Sequence, residues 1–158
     1  MSPTPTPTVT QLDLDTAARL RAVIGKLSRR LRPTPAARAA GLTPTRISVL
    51  LTVVRAGPIR LSDLANAEGI NPTQLSRAAA HLVEAGLVER SADEGDRRAA
   101  WLKATVAGRR LTERIRRERT DALNVALEEL DPADRERITA ALGALEYLAE
   151  QLRAGERP

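Results

Sequence analysis

Residues 68–77 read EGINPTQLSR, and this short stretch decides the fold. Gly69 can adopt the left-handed backbone conformation that ends a helix, and Ile70 supplies an apolar side chain for the corner. Asn71 is a good N-cap, and Pro72 is well tolerated in the first turn of the helix that follows. Two helices joined by a glycine-bearing turn of about three residues are typical of a helix-turn-helix.

The two predicted helices of this motif have apolar inner faces. The first runs from roughly Ser62 to Glu68, and the second from Pro72 to about Ala85. The inner side of the second helix consists of small and aliphatic residues: Leu75, Ala78, Ala79, Leu82 and Val83. The opposite side has short or hydrogen-bonding side chains and is free of acids until Glu84: Thr73, Gln74, Ser76, Arg77, Ala80 and His81. Such a face is typical of a recognition helix that enters the major groove, although a solvated face is the alternative.

Two short strands are predicted after this helix, over residues 87–91 and 99–103. The polar segment between them, residues 92–98, is too long for a two-residue turn. The pattern therefore predicts a β-hairpin with an extended tip, which is the layout of a wing.

The remaining segments favour helices. Apolar residues at spacings of three and four predict one helix from Leu12 to the prolines at 33 and 35, and another from Thr43 to Gly57. A long helix is predicted from Thr105 to about Leu130, and a last helix after Asp131. We expect a disordered Pro/Thr tail over 1–11, a first dimerisation helix and linker over 12–42, a winged helix-turn-helix lobe over 43–104, dimerisation helices over 105–153, and a tail over 154–158.

Composition excludes several classes of site. The 158 residues include no cysteine and one histidine, so thiol chemistry and multi-histidine metal sites are ruled out. The sequence has neither a nucleophile–histidine–acid set nor a glycine-rich phosphate loop, so we expect no enzyme, no catalytic residue and no cofactor. It also lacks a signal peptide and an apolar run near the ~20 residues that span a bilayer. We therefore expect a cytoplasmic protein without a membrane partner.

The charge balance favours a polyanionic partner. The formal net charge is +5, and all basic residues except Lys26 and Lys103 are arginines. Arginine binds phosphates and guanine edges through its planar fork, although codon bias is an alternative source of so many arginines. Aromatic residues make up only 1% of the chain, which argues against single-strand binding by base stacking.

The helix-turn-helix and wing together resemble the MarR family of bacterial transcriptional regulators. The matching residues are LSDLA at 61–65, INPTQLSR at 70–77, HLVEAGLVER at 81–90, and DRR at 96–98 followed by Leu102 and Thr105. The resemblance covers roughly residues 12–153. It implies a mainly α fold with a small β-wing, in which terminal helices form a dimerisation region.

The resemblance also implies a DNA-binding site. On the recognition helix, the candidate residues are Asn71, Thr73, Gln74, Ser76, Arg77 and His81. Glutamine can pair with adenine and arginine with guanine. His81 either contacts a phosphate or a base, or is a surface histidine without a function. In the wing, Arg98 resembles the family's minor-groove arginine, Asp96 would hold it in place, and Arg97 is the competing candidate.

The partners implied by the resemblance are a second copy of the chain and duplex DNA. A two-fold dimer presents two recognition helices about 34–36 Å apart, so we expect a pseudo-palindromic operator and a repressor function. In the family, small amphipathic and often aromatic effectors bind between the dimer helices and the DNA lobe and change the lobe spacing. The alternative is a winged-helix protein-interaction module without DNA affinity.

The sequence departs from the family pattern where the wing meets the long helix. Ala104 replaces the usual leucine, and the helix starts TVAG at 105–108 without the acid that would complete a capping box. We therefore expect a less rigid joint between the wing and this helix.

Overall fold

The computed structural model describes residues 11–32, 34–92 and 100–154. The predicted N-terminal tail, apart from residue 11, lies outside these ranges, as do residues 155–158. The wing candidates Asp96, Arg97 and Arg98 also lie outside the described residues. The chain divides into two compact units, Met1–Arg119 and Thr120–Pro158.

The described part of the chain is mainly helical, with three short strands. The elements are α1 (Gln11–Leu31), α2 (Pro35–Ala39), α3 (Pro44–Ala56), β1 (Ile59–Arg60), α4 (Leu61–Glu68), α5 (Pro72–Glu84), β2 (Val88–Ala92), β3 (Ala100–Ala104), α6 (Val106–Glu128) and α7 (Pro132–Ala154). This order confirms the predicted fold class, a helical chain with a small β-wing.

The three strands form one antiparallel sheet in the order β1–β3–β2. Val88 lies opposite Ala104 and Ala92 opposite Ala100, so β2 and β3 form the predicted hairpin. The very short strand β1 pairs Ile59 with Leu102. Because Ala100, Leu102 and Ala104 alternate with more exposed residues and are buried, one face of β3 packs on the helices.

The core of the first unit is built from aliphatic side chains of five helices, α2 to α6, and the sheet. Leu50, Leu64, Leu82, Leu102 and Ile115 are each completely buried. The sequence contains no phenylalanine, so close packing of leucine, valine, isoleucine and alanine replaces aromatic rings. This core fixes α5 and β2–β3, the elements that present the predicted DNA-binding residues.

Two helices leave their apolar stripes uncovered within their own units. In the first unit, Val23, Ile24 and Leu27 of α1 are 51%, 52% and 49% exposed. In the second unit, Leu142 and Leu145 of α7 are 50% and 40% exposed. Aliphatic residues at helical spacing normally face a partner, so both stripes are unusual for a surface.

The predicted linker over residues 34–41 contains a helix that sequence reasoning missed. Thr34 is the N-cap of α2, its hydroxyl accepts from the Ala37 N–H at 3.2 Å, and Pro35 occupies the first turn. Sequence reasoning treats Pro33 and Pro35 only as residues that end α1. At the first position of a helix, however, an N–H would have no intrahelical partner, so a proline there loses no hydrogen bond. The stretch therefore repeats the Thr-Pro start that Thr43 and Pro44 provide for α3.

Candidate DNA-binding surface

The turn between α4 and α5 has the geometry that its sequence predicts. Gly69 is left-handed, with φ +61°, and ends α4. The Ile70 N–H donates to the Ala65 carbonyl at 3.2 Å, and its half-buried side chain packs against the core. Asn71 Oδ1 accepts from the Gln74 N–H at 2.9 Å, so Asn71 caps α5 as predicted.

Helix α5 divides cleanly into a buried and an exposed side. Leu75, Ala78, Ala79 and Leu82 are buried. The predicted contact residues are brought together on the other side, where all of the following are exposed: Asn71, Thr73, Gln74, Ser76 and Arg77. The first turn of α5 contains no acid, so nothing there offsets the positive end of the helix dipole. This face can donate hydrogen bonds to base edges and phosphates without repelling them.

His81 differs from the other candidates on α5. Its side chain is half-buried, and Nδ1 is shielded from solvent without a hydrogen-bond partner among the described residues. Any contact between His81 and DNA must therefore use the other ring nitrogen. Sequence spacing placed His81 on the polar side of α5 but could not indicate this burial.

The three-stranded sheet has an exposed surface that is partly basic. Arg60 of β1 lies over the Trp101 ring, with the guanidinium carbon 5.2 Å from the ring centroid. Lys103 is exposed and lies opposite Glu89 in the β2–β3 register. The β2–β3 ladder ends at the pair Ala92 and Ala100, and the segment with Arg97 and Arg98 links these two positions along the chain.

Several hydrogen bonds join α5, the wing and α6, and they argue against the less rigid joint that the sequence predicts. The Thr105 hydroxyl donates to the Gly86 carbonyl at 2.7 Å and accepts from the Gly108 N–H at 3.0 Å. The Thr105 N–H donates to the Leu87 carbonyl at 3.1 Å, and Arg109 Nη1 donates to the Ala104 carbonyl at 2.6 Å. The Thr105 hydroxyl caps α6 and ties it to Gly86. The Leu87 carbonyl accepts from the Thr105 N–H, the group that the missing acid of a capping box would bond.

A cavity that sequence reasoning did not predict lies between α1, α3 and the turn that follows α4. Its volume is about 570 Å³, and its walls include the apolar side chains of Ile24, Leu27, Leu31, Ile47, Leu51 and Ile70. Polar groups of Arg32, Glu68 and Arg119 also line it. The Thr52 hydroxyl donates to the Glu68 carboxylate, which ties the end of α4 to α3.

Two other features are absent from the residues that the structure describes. No cluster of three or more histidine, aspartate and glutamate side chains is arranged to hold a metal ion there. Within the same ranges, none of the helices combines the length and apolar character needed to cross a membrane.

Comparisons with known proteins agree with this geometry. A family model described as the MarR family matches residues 42–100, which include α3 to β2 and the first residue of β3. The chain is 25% identical over 97 residues to YwhA of Bacillus subtilis strain 168, an uncharacterised helix-turn-helix-type transcriptional regulator; the match covers 61% of this chain and 70% of YwhA.

Solved structures extend the similarity to nearly the whole chain. A proposed transcriptional regulator from Pseudomonas aeruginosa PA01 is 32% identical, with 89% of this chain and 97% of that one covered and a TM-score of 0.73. AbsC of Streptomyces coelicolor, a MarR family transcriptional regulator, is 25% identical over 94% of this chain and 99% of its own, with a TM-score of 0.61. With its helix-turn-helix, wing and long α6, this chain belongs to the MarR family and is a transcriptional regulator, not an enzyme.

Proposed function

We propose that this protein is a homodimeric repressor that binds a pseudo-palindromic operator in duplex DNA. The observation that supports this function best is the exposed face of α5, which contains hydroxyl, amide and guanidinium groups and no acid in its first turn. Gln74 and Arg77 have the side chains that pair with adenine and guanine in the major groove. Asn71, Thr73 and Ser76 flank them, and His81 adds a contact through one ring nitrogen.

The wing supplies the second part of the proposed interface. From the sequence, Arg98 enters the minor groove beside each half-site, and Asp96 orients it through a charge-assisted hydrogen bond. Arg97 is the alternative for this contact. Residues 59–90 include three arginines against four acids, so attraction to phosphate must come largely from outside this segment.

Dimerisation is supported by the uncovered stripes of α1 and α7, each within its own unit. Apolar side chains that remain 40–52% exposed at helical spacing gain stability when a second copy buries them. A two-fold dimer then offers two copies of α5 to successive major grooves, about 34–36 Å apart. The single chain therefore reads one half-site, and the pair reads the operator.

The cavity in the first unit supports release by a small effector. Its volume of about 570 Å³ lies within the roughly 300–1,000 Å³ typical of small-molecule sites. The lining is mostly aliphatic, which fits the lipophilic or aromatic effectors of the family. A ligand that prefers the conformation that does not fit DNA lowers operator affinity by the ratio of its affinities for the two states.

Selection of bound sequences from a random duplex pool with the purified full chain tests the function. We expect an enriched palindrome whose half-site centres are about 10–10.5 base pairs apart, with affinity that falls as salt is raised. A chain that stays monomeric and enriches no duplex sequence even at low ionic strength would instead be a winged-helix module for protein partners.

A further inference from the structure

The first half of α6 is strongly basic. Residues 106–119 include six arginines and two glutamates, whereas residues 59–90 include three arginines and four acids. Like charges one turn apart on a helix repel each other and destabilise it. The contacts proposed for α5 and the wing use none of these six arginines. A strongly basic helix segment therefore belongs to the same unit as a helix-turn-helix that is itself slightly acidic.

Three of these arginines form a stripe on one face of α6. Arg110, Arg114 and Arg117 are separated by four and three residues, so they fall within about 60° of the helix circumference and span about 10 Å along its axis. All three side chains are exposed, and together with Glu113 they line one shallow depression of the surface. We call Arg110, Arg114 and Arg117 the arginine stripe.

The arginine stripe differs from other arginines of α6 in its bonding. Among the described residues, none accepts a hydrogen bond from a guanidinium group of the stripe or forms an ion pair with it. By contrast, Arg109 donates to the Ala104 carbonyl at 2.6 Å, and Arg119 donates to the Leu31 carbonyl at 3.1 Å. Arg109 and Arg119 therefore stabilise the fold, whereas the stripe has its charge available for a partner.

The two glutamates in this half of α6 do not pair with the stripe. The Glu118 carboxylate accepts from the Ala36 N–H, with Oε2 at 3.0 Å and Oε1 at 3.2 Å, so its oxygens face the start of α2. Glu113 is exposed and forms no ion pair with a described residue. One acid beside three arginines leaves this face with an excess of positive charge.

The stripe begins beside the base of the wing. Arg110 and Arg114 line a groove between α2 and α6, and Leu87 contributes to the wall of the same groove. Leu87 directly precedes β2, which is the first strand of the wing hairpin. Over the 10 Å that the stripe spans, duplex DNA has about six phosphate charges. Three arginines in a row therefore complement the charge density of a duplex.

We propose that the arginine stripe is a second DNA-binding surface, which binds phosphates of the duplex next to each half-site. This rests on the proposed function, because α5 and the wing must first bring the duplex to this unit. Arginine forms charge-assisted, frequently bidentate hydrogen bonds with phosphate. Phosphate contacts contain no base information, so the stripe strengthens binding to every sequence and does not change which bases are preferred.

The salt dependence of DNA binding by the full chain tests the stripe. A triple variant, Arg110→Gln with Arg114→Gln and Arg117→Gln, removes the three charges and retains good helix formers. Each phosphate contact contributes about 0.9 to the slope of log affinity against log salt concentration, so we expect this slope to become shallower by about 2 to 3. Arg114→Gln alone should make it shallower by about 1, which tests the stripe with a single change.

A second triple variant is the matched control. Arg21→Gln with Arg29→Gln and Arg55→Gln removes the same net charge from exposed arginines of α1 and α3. It should retain nearly the native slope, because general charge loss does not remove a phosphate contact. The bases enriched by duplex selection should stay the same in both triple variants. Equal slopes in the two triple variants, or a changed base preference in the stripe variant alone, overturn the proposal.

A random-sequence duplex separates failure of the stripe from failure of the proposed function. If selection enriches no palindrome but the stripe variant has the shallower slope on random duplex, the operator function fails and the stripe stands. If a palindrome is enriched and the two triple variants share one slope, the operator function stands and the stripe fails. A native chain that binds neither duplex at low ionic strength overturns both.

Discussion

Gly108 of α6 packs so closely on Leu87 that a Cβ at residue 108 would lie 2.1 Å from the Leu87 carbonyl oxygen. The same oxygen accepts from the Thr105 N–H at 3.1 Å, so it cannot move away without weakening that bond. Leu87 directly precedes β2, and its own N–H donates to the Leu82 carbonyl of α5 at 2.9 Å. The absence of a side chain at residue 108 is therefore what lets α5, the wing and α6 meet.

Gly108→Ala should destabilise the protein although alanine is the better helix former. The added methyl group meets a backbone atom rather than a flexible side chain, so we expect a loss of about 1–3 kcal/mol in the free energy of unfolding. Gly143→Ala in α7 is the control, because a Cβ there meets nothing within 4 Å. That change should be neutral or stabilise the helix by up to about 1 kcal/mol. Urea unfolding of both variants measures the difference in their free energies of unfolding. Equal urea midpoints for the two variants would contradict the close contact between Gly108 and the Leu87 carbonyl.

Two buried threonines should respond in opposite directions to the same substitution. Thr112 is completely buried, and its hydroxyl has no hydrogen-bond partner among the described residues, so Thr112→Val should stabilise the fold by about 1 kcal/mol. The Thr52 hydroxyl donates to the Glu68 carboxylate, so Thr52→Val should cost about 1.5–3 kcal/mol. Both changes keep a β-branched side chain, which limits the difference in helix propensity. Thermal unfolding of the two variants at equal concentration tests this reversal of sign.

Local sequence chemistry predicted the elements of this fold well. Gly69, Asn71 and Pro72 specify one turn through effects confined to a few neighbouring residues, and the structure has that turn. Helix α7 likewise starts where Asp131 and Pro132 predict, with Asp131 Oδ1 accepting from the Asp134 N–H at 3.0 Å.

Sequence reasoning missed the features that depend on contacts between residues distant in sequence. The Glu118–Ala36 bond and the Gly108–Leu87 contact join segments that no local pattern connects. From the sequence alone, a glycine inside a predicted helix indicates only a less stable helix. Its role in close packing becomes visible only when the segment that contacts it is known. For the same reason the cavity was not predicted, because its walls come from α1, α3 and α6 as well as from the turn after α4.

A charge in the apolar stripe of α7 should separate the proposed dimer. Leu142 is 50% exposed within the second unit, and Leu142→Glu would bury a carboxylate if a second copy covers it. We expect monomers by sedimentation equilibrium and a loss of operator affinity of about 100-fold or more, since the second half-site no longer adds to binding. Tyr147→Glu is the matched control, because Tyr147 is 64% exposed and lies on the opposite side of the helix by its spacing. A dimeric Leu142→Glu variant would contradict the proposed interface.

Arg98 is expected to read groove width rather than base sequence. A guanidinium gains most where an A·T-rich flank narrows the minor groove and strengthens its negative potential. Arg98→Ala should therefore weaken binding about tenfold on A·T-rich flanks and clearly less on G·C-rich flanks that surround the same half-sites. Fluorescence anisotropy with the two duplexes measures this ratio. Arg97→Ala is tested in parallel, since a flank-dependent loss there instead would assign the contact to Arg97, and an equal loss on both flanks would refute the role of Arg98.

Arg77 should specify one base pair in each half-site. It is exposed on α5, two turns or less from the cap at Asn71, where recognition helices meet base edges. Because an arginine that bonds guanine contributes about 1–3 kcal/mol of discrimination, Arg77→Ala should weaken operator binding and remove the preference at a single position. Arg55→Ala, which removes an exposed arginine from the last turn of α3, serves as the control for lost charge. Repeating the duplex selection with both variants distinguishes the two effects. If Arg77→Ala lowers affinity for every sequence equally and leaves the selected base pattern unchanged, Arg77 contacts phosphate and the sequence must be read by Gln74 and its neighbours.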